Sequence, residues 1–113
     1  MAGITTHVLD TALGRPAAAV PITLEVRSAD SWTLVGRGAT DADGRLRDLT
    51  SAHSMRAATY RITFDTAAYF TAQSVPAFFY PTVTIEFSVV DPSQHFHVPL
   101  LVSPFGYSTY RGS

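Results

Sequence analysis

Apolar and polar side chains alternate with a period of two through most of the chain. Ile22, Leu24 and Val26 alternate with Thr23, Glu25 and Arg27 behind Pro21; Tyr60, Ile62 and Phe64 alternate with Thr59, Arg61 and Thr63; Val83, Ile85, Phe87 and Val89 alternate with Thr82, Thr84, Glu86 and Ser88. A period of two sends successive side chains to opposite faces of a pleated strand, so each run reads as a half-buried strand with an apolar inner face and a Thr-rich outer one. Residues 4–9, 32–39, 95–102 and 106–111 supply further candidates. Leu13-Gly14-Arg15-Pro16, Asp41-Ala42-Asp43-Gly44 and Asp91-Pro92-Ser93 carry the Gly, Pro and Asp chemistry of turns. Residues 66–73 lack alternation and contain Ala67, Ala68 and Ala72; with Asp65 or Thr66 as N-cap they predict a two-turn helix. The aromatic-rich stretch 77–81 reads as a packed connection. The pattern predicts an all-β fold, an antiparallel β-sandwich of seven to eight strands with one short helix.

Composition narrows the function. With 113 residues the chain forms a single domain over 1–113, and 46% hydrophobic against 15% charged residues is enough for a core. There is no Cys, which excludes disulfides, thiolate metal sites and cysteine nucleophiles. A net charge of −1, from eight Arg, no Lys and nine acids, lacks the basic excess of a nucleic-acid or anionic-membrane surface. The first ten residues have neither a basic stretch nor an apolar run of the secretory kind, and no apolar run reaches the ~20 residues of a membrane span. The expected compartment is cytoplasmic.

Candidate chemistry concentrates in the histidines. In His95-Phe96-His97 the two imidazoles share one face of a strand with Pro99 and Leu101, while Phe96, Val98, Leu100 and Val102 take the other. Both faces are largely apolar, and a subunit partner covering the outer one is the simplest explanation. His7 shares a face with Thr5 and Leu9, Arg45 follows the turn glycine Gly44, and His53 falls in a loop. His-X-His with a third His also has the spacing of a zinc site, but no acid lies close in sequence to complete one. No nucleophile elbow or phosphate loop is present.

The two ends of the chain carry a resemblance. Residues 97–113, closing on Tyr110-Arg111-Gly112-Ser113, are similar to the C-terminus of the transthyretin-like 5-hydroxyisourate hydrolases, and Thr5-Thr6-His7-Val8-Leu9-Asp10-Thr11-Ala12-Leu13-Gly14-Arg15-Pro16-Ala17 resembles the N-terminal signature of that family. Asp41-Ala42-Asp43-Gly44-Arg45 stands where its Arg-bearing turn lies, and Phe96 stands where a Tyr is expected. The resemblance implies a transthyretin-like fold and opening of the six-membered ring of 5-hydroxyisourate, in urate degradation, without metal or cofactor. It implies a homotetramer, two dimers meeting face to face, with active sites in the channel between them. Carried over residue by residue, it assigns catalysis to His7, Arg45 and His97 and substrate binding to Tyr110 and Ser113, the last bringing a hydroxyl and a terminal carboxylate. Transthyretin, whose channel takes thyroid hormone, lacks these histidines and the Tyr-Arg-Gly-Ser ending. A small-molecule carrier without catalysis is the alternative reading.

Overall fold

A computed structural model of the chain describes residues 3–113. They form β1 (Gly3–Asp10), β2 (Arg15–Pro16), β3 (Pro21–Ser28), β4 (Ser31–Ala39), β5 (Arg45–Leu46), β6 (Ala58–Phe64), α1 (Thr66–Ala72), β7 (Val83–Val89), β8 (His95–Ser103) and β9 (Gly106–Thr109). The strands make two sheets, one ordered β2-β1-β8-β9 with β5 also pairing β1, the other ordered β4-β3-β6-β7. Ile4, Val8, Leu100 and Val102 of the first sheet meet Ile22, Leu24, Tyr60, Ile62 and Phe64 of the second, all at most 2% exposed. These are the apolar halves of the alternating runs, and their burial is the main force holding the sheets together.

The sandwich departs from the purely antiparallel expectation at one pairing. β1 and β8 run parallel, from Gly3 opposite His95 to Asp10 opposite Val102. Alternation fixes which face a residue takes but not the direction of its neighbour strand, so this could not be read from the pattern. The parallel pairing brings the odd positions of both strands, Thr5 and His7 with His95 and His97, onto one outer face. β2 and β5 take the other edge of β1 end to end, at Leu9–Asp10 and Thr6–His7 respectively.

Local chemistry explains the joints. Asp65 is the N-cap of α1, its carboxylate accepting the Ala68 N–H at 3.0 Å, while Thr66 turns its hydroxyl to the Tyr80 carbonyl. Tyr69 on α1 donates to buried Asp10 at 2.7 Å, and the same carboxylate accepts the amides of Ala12 and Leu13. Burial and the Asp10 hydrogen bond push the Tyr69 phenol far above its ordinary pKa. The 77–81 connection is only partly packed: Phe78 stacks on Phe70, but Phe79 is 67% exposed. Ile85 and Phe87 are half-buried rather than buried, because β7 is the edge of its sheet. There the sandwich opens in an apolar depression of about 270 Å³ bordered by Ile85, Phe87, Phe96 and Val98. Arg111 lays its guanidinium 4.6 Å from the Phe96 ring centroid and covers part of that opening.

Candidate active site

Three strands and one turn assemble the outer face of the first sheet. In β1, even positions are buried and Thr5, His7 and Leu9 face outward; in β8 the outward set is His95, His97, Leu101 and Ser103. The Asp41 turn delivers Arg45. The Asp41 carboxylate accepts the amides of Asp43 and Arg45 at 2.9 and 3.0 Å, and its acidity is raised chiefly by the Arg45 amide. Gly44 closes the turn at φ +76°, and a side chain there would strike the Val8 carbonyl. With the Gly44 carbonyl accepting the Val8 amide at 2.7 Å, the chain enters β5 with Arg45 opposite His7.

The result is a cleft of about 380 Å³ whose walls include Thr5, Arg45, Arg47, Thr50, His95, His97 and Ser113. Among the described residues, no Asp or Glu lines it. Thr5 Oγ1 lies 2.8 Å from His97 Nδ1 and 2.9 Å from His95 Nε2, so one hydroxyl bridges both imidazoles. His97 is held below the ordinary histidine pKa by burial first, then by the charges of Arg45, His7 and His95. It therefore stays neutral, with one ring nitrogen's lone pair free, under conditions where a solvated histidine begins to charge. Arg47 leans on Asp41 at 3.4 Å, and the Thr50 hydroxyl accepts the Ile4 amide.

The end of the chain closes one side of the cleft. Beyond β9, Gly112 pairs with His97, its amide donating to the His97 carbonyl at 2.8 Å. A Cβ on Gly112 would lie 2.6 Å from Cδ2 of the His97 ring and 3.3 Å from Pro99 Cγ. The residue is glycine because the imidazole occupies that space. The interruption between Thr109 and Gly112 falls at Pro99, which has no amide to give; Thr109 instead donates its hydroxyl to the Pro99 carbonyl at 2.7 Å.

Of the residues singled out from the sequence, Arg45, His97 and Ser113 line this cleft. His7 stands beside it on the same face, Nε2 2.9 Å from the Asp43 carbonyl. A carbonyl only accepts, so that nitrogen carries the proton and Nδ1 holds the lone pair of the neutral ring. Tyr110 is not a wall of the cleft within one subunit: it is 60% exposed and borders the apolar depression with Phe96 and Val98. His53 lies elsewhere, its Nε2 2.9 Å from the Tyr60 hydroxyl. Among the described residues, no group of three or more His, Cys, Asp or Glu is placed to hold a metal. Sequence reasoning missed Thr5, Arg47 and Thr50. The first two carried a signal, since Thr5 shares the outward parity of His7 and Arg47 that of Arg45; Thr50 depends on long-range approach and carried none, while Gly112 lies within the terminal motif but its packing on His97 was not readable there.

A transthyretin-fold sandwich with a polar, cationic cleft on its β1–β8 face is the class this architecture defines. The description "HIUase/Transthyretin family" covers the match over residues 4–112, and the chain belongs to that family. It is 44% identical over 116 aligned residues to the 5-hydroxyisourate hydrolase of Caulobacter vibrioides, spanning 100% of both chains. It is 46% identical over 115 to that of Deinococcus radiodurans, spanning 98% of this chain and 96% of the relative. Among solved structures, Klebsiella pneumoniae 5-hydroxyisourate hydrolase superposes with a TM-score of 0.86 at 32% identity over the whole of both chains. Transthyretin from Sparus aurata superposes at 0.91 and 32% identity, covering 99% of this chain and 97% of its own. Among the described residues no helix is long and apolar enough to cross a membrane.

Proposed function

We infer that this protein is a hydrolase of urate degradation that opens the six-membered ring of 5-hydroxyisourate to give 2-oxo-4-hydroxy-4-carboxy-5-ureidoimidazoline. Its kinship with enzymes of that name supports the reaction. The observation that carries the assignment to this face is the meeting of Arg45, His97 and Ser113 in one cleft free of carboxylate side chains, with His7 alongside. A carrier of apolar ligands needs apolar walls; two guanidiniums and two imidazoles favour the hydrolase over that second reading.

Ring opening adds water to a ring carbonyl and then expels the ring nitrogen. A C–O bond forms, the C–N bond breaks, and the proton lost by water ends on the departing nitrogen. His97, neutral and with its Nε2 available to the cleft, takes the proton from water. Arg45 offers a planar, permanently charged fork to the anionic heterocycle and to the oxyanion that develops. His7, proton on Nε2 toward Asp43 and lone pair on Nδ1, holds a substrate N–H or relays the proton to the leaving nitrogen. Ser113 adds a hydroxyl at the rim. No covalent intermediate is needed.

The protein works as a homotetramer in which the outer faces of the first sheets meet in pairs, in the cytoplasm. The half-buried Leu101 and the buried Pro99 on this face suit a covered surface. Tyr110 then binds substrate from its exposed position at the junction. The test generates the substrate in situ from urate and urate oxidase and follows its ultraviolet absorbance. Accelerated decay on adding the protein, undiminished by EDTA, is the expected result; decay at the spontaneous rate would overturn the assignment. Sedimentation velocity reads the tetramer, and a monomer at micromolar concentration would remove the paired faces.

A further inference from the structure

The Thr5 hydroxyl has one hydrogen and two imidazole nitrogens to satisfy. Oγ1 sits 2.8 Å from His97 Nδ1 and 2.9 Å from His95 Nε2, both hydrogen-bond distances. Its hydrogen can serve only one ring, while its oxygen can accept from one or both. Two arrangements place the Thr5 hydrogen between the rings, and a third, in which both rings donate to Thr5, sets the same His97 tautomer as the first of these. In the first, His97 donates Nδ1–H to Thr5 and Thr5 donates to His95 Nε2, leaving a lone pair on His97 Nε2. In the second, every proton is reversed: His95 donates to Thr5, Thr5 donates to His97 Nδ1, and Nε2 of His97 carries a hydrogen.

The surroundings distinguish the two. The cleft that His97 faces also holds Arg45 and Arg47, and no Asp or Glu among the described residues lines it. A lone pair directed at a cationic cleft is favoured over an N–H directed at it. The ring is also fixed in place from the opposite edge, since Cδ2 of His97 fills the space that a side chain on Gly112 would need. Held by a hydrogen bond at Nδ1 and by close backbone at Cδ2, it has one orientation, and only its proton is left to be set.

We propose that Thr5, backed by His95, is a positioning residue that holds the Nδ1 proton of His97 and so keeps Nε2 of His97 as the base facing the cleft. The proposal deepens the hydrolase reading and rests on it for its kinetic consequence. Thr5 acts only through His97, as the second partner of a catalytic imidazole commonly sets its tautomer. His95 is the solvent-exposed end of this hydrogen-bond relay. The other groups facing His97 are His7 on β1, Arg45 on β5 and Arg47 just beyond it; Arg111 is turned away over Phe96.

The test combines a direct reading of the tautomer with kinetics in the full-length protein. Long-range ¹H–¹⁵N correlation spectra of the histidines, at a pH where they are neutral, report which nitrogen of His97 is protonated whether or not the protein turns over substrate. The expected spectrum has His97 protonated on Nδ1 in the wild type, a mixture in Thr5→Val, and the wild-type pattern restored in Thr5→Ser. In the assay Thr5→Val is expected to lower kcat by about tenfold or more with KM little changed, the range of a general-base contribution partly lost. His95→Asn should shift His97 toward the same mixture, and should shift it no further when combined with Thr5→Val. A wild-type His97 protonated on Nε2, or a Thr5→Val protein with unchanged tautomer and kcat, would overturn the proposal. An inactive wild type with the expected tautomer would instead strike the hydrolase reading and leave the bridge standing.

Discussion

The outer faces of the two sheets make an instructive pair. Each is lined by polar residues at alternate positions, yet they are finished differently. On the β3–β6–β7 face charge is matched: Arg61 donates to Glu25 at 2.7 Å, lies 4.2 Å from the Trp32 ring centroid and stands opposite Glu86, while Thr63 and Thr84 face each other. On the β1–β8 face Arg45 stands with the imidazoles of His95 and His97 at an open cleft with no acidic side chain on its walls among the described residues, while Arg47 leans on Asp41. The first arrangement is a solvated surface at rest; the second leaves Arg45 without a salt-bridge partner among the described residues, a charge complementary to an anionic substrate. Unbalanced charge on a rigid strand scaffold, rather than polarity as such, distinguishes the site.

The sharpest way to break the comparison is to remove the base. His97→Asn should lower kcat by roughly 10²–10⁴-fold, the usual range for general acid–base catalysis, with the melting temperature little changed. Next in size is Gly112→Ala. The new methyl displaces the His97 ring, and a shift on the order of 1 Å can cost ~10²-fold in rate; wild-type kcat would show that the ring has room to move. Deleting residues 111–113 should likewise cripple turnover, though it also uncovers Phe96 and is the less selective test.

Arg45→Gln sharpens the electrostatic side. Besides lowering the rate, it removes a charge that depresses the His97 pKa. The acid limb of the residual activity should move to higher pH, since the base now protonates earlier on acidification; a limb that stays put would separate Arg45 from His97. Smaller again is an effect outside both faces. His53 is held below the ordinary histidine pKa by burial and then by Arg56. The unfolded chain takes up that proton near pH ~6.5 and the folded one does not. The contribution is complete above that range and is lost as the pH falls toward the folded pKa. His53→Gln should flatten part of the fall in melting temperature on acidification, without touching kcat at neutral pH.

Much of this was legible from alternation alone. The inner faces of β3, β6 and β8 are the apolar halves of their runs, that of β1 mixes Ile4 and Val8 with buried Thr6 and Asp10, and α1 begins at the Asp65 cap that the sequence offers. What alternation does not encode is strand direction, and the parallel β1–β8 pairing brings Thr5 beside His97. Arg45 and His97 were found through the resemblance, and their meeting follows from tertiary register. Thr50 was hidden for the same reason, and so was the packing of Gly112 on the His97 ring, since both contacts span long stretches of chain. Tyr110 shows where motif and fold part: its place in the sequence motif points to the substrate, whereas the fold sets it at the depression beside Phe96.

The measurement that bears most directly on the difference between the two faces is a matched pair of kcat/KM values for 5-hydroxyisourate. His97→Asn, on the open face, should lose at least about a hundredfold. Glu25→Gln, which breaks the ion pair on the balanced face, should keep wild-type turnover. Comparable values for the two variants would contradict the assignment of catalysis to the β1–β8 cleft.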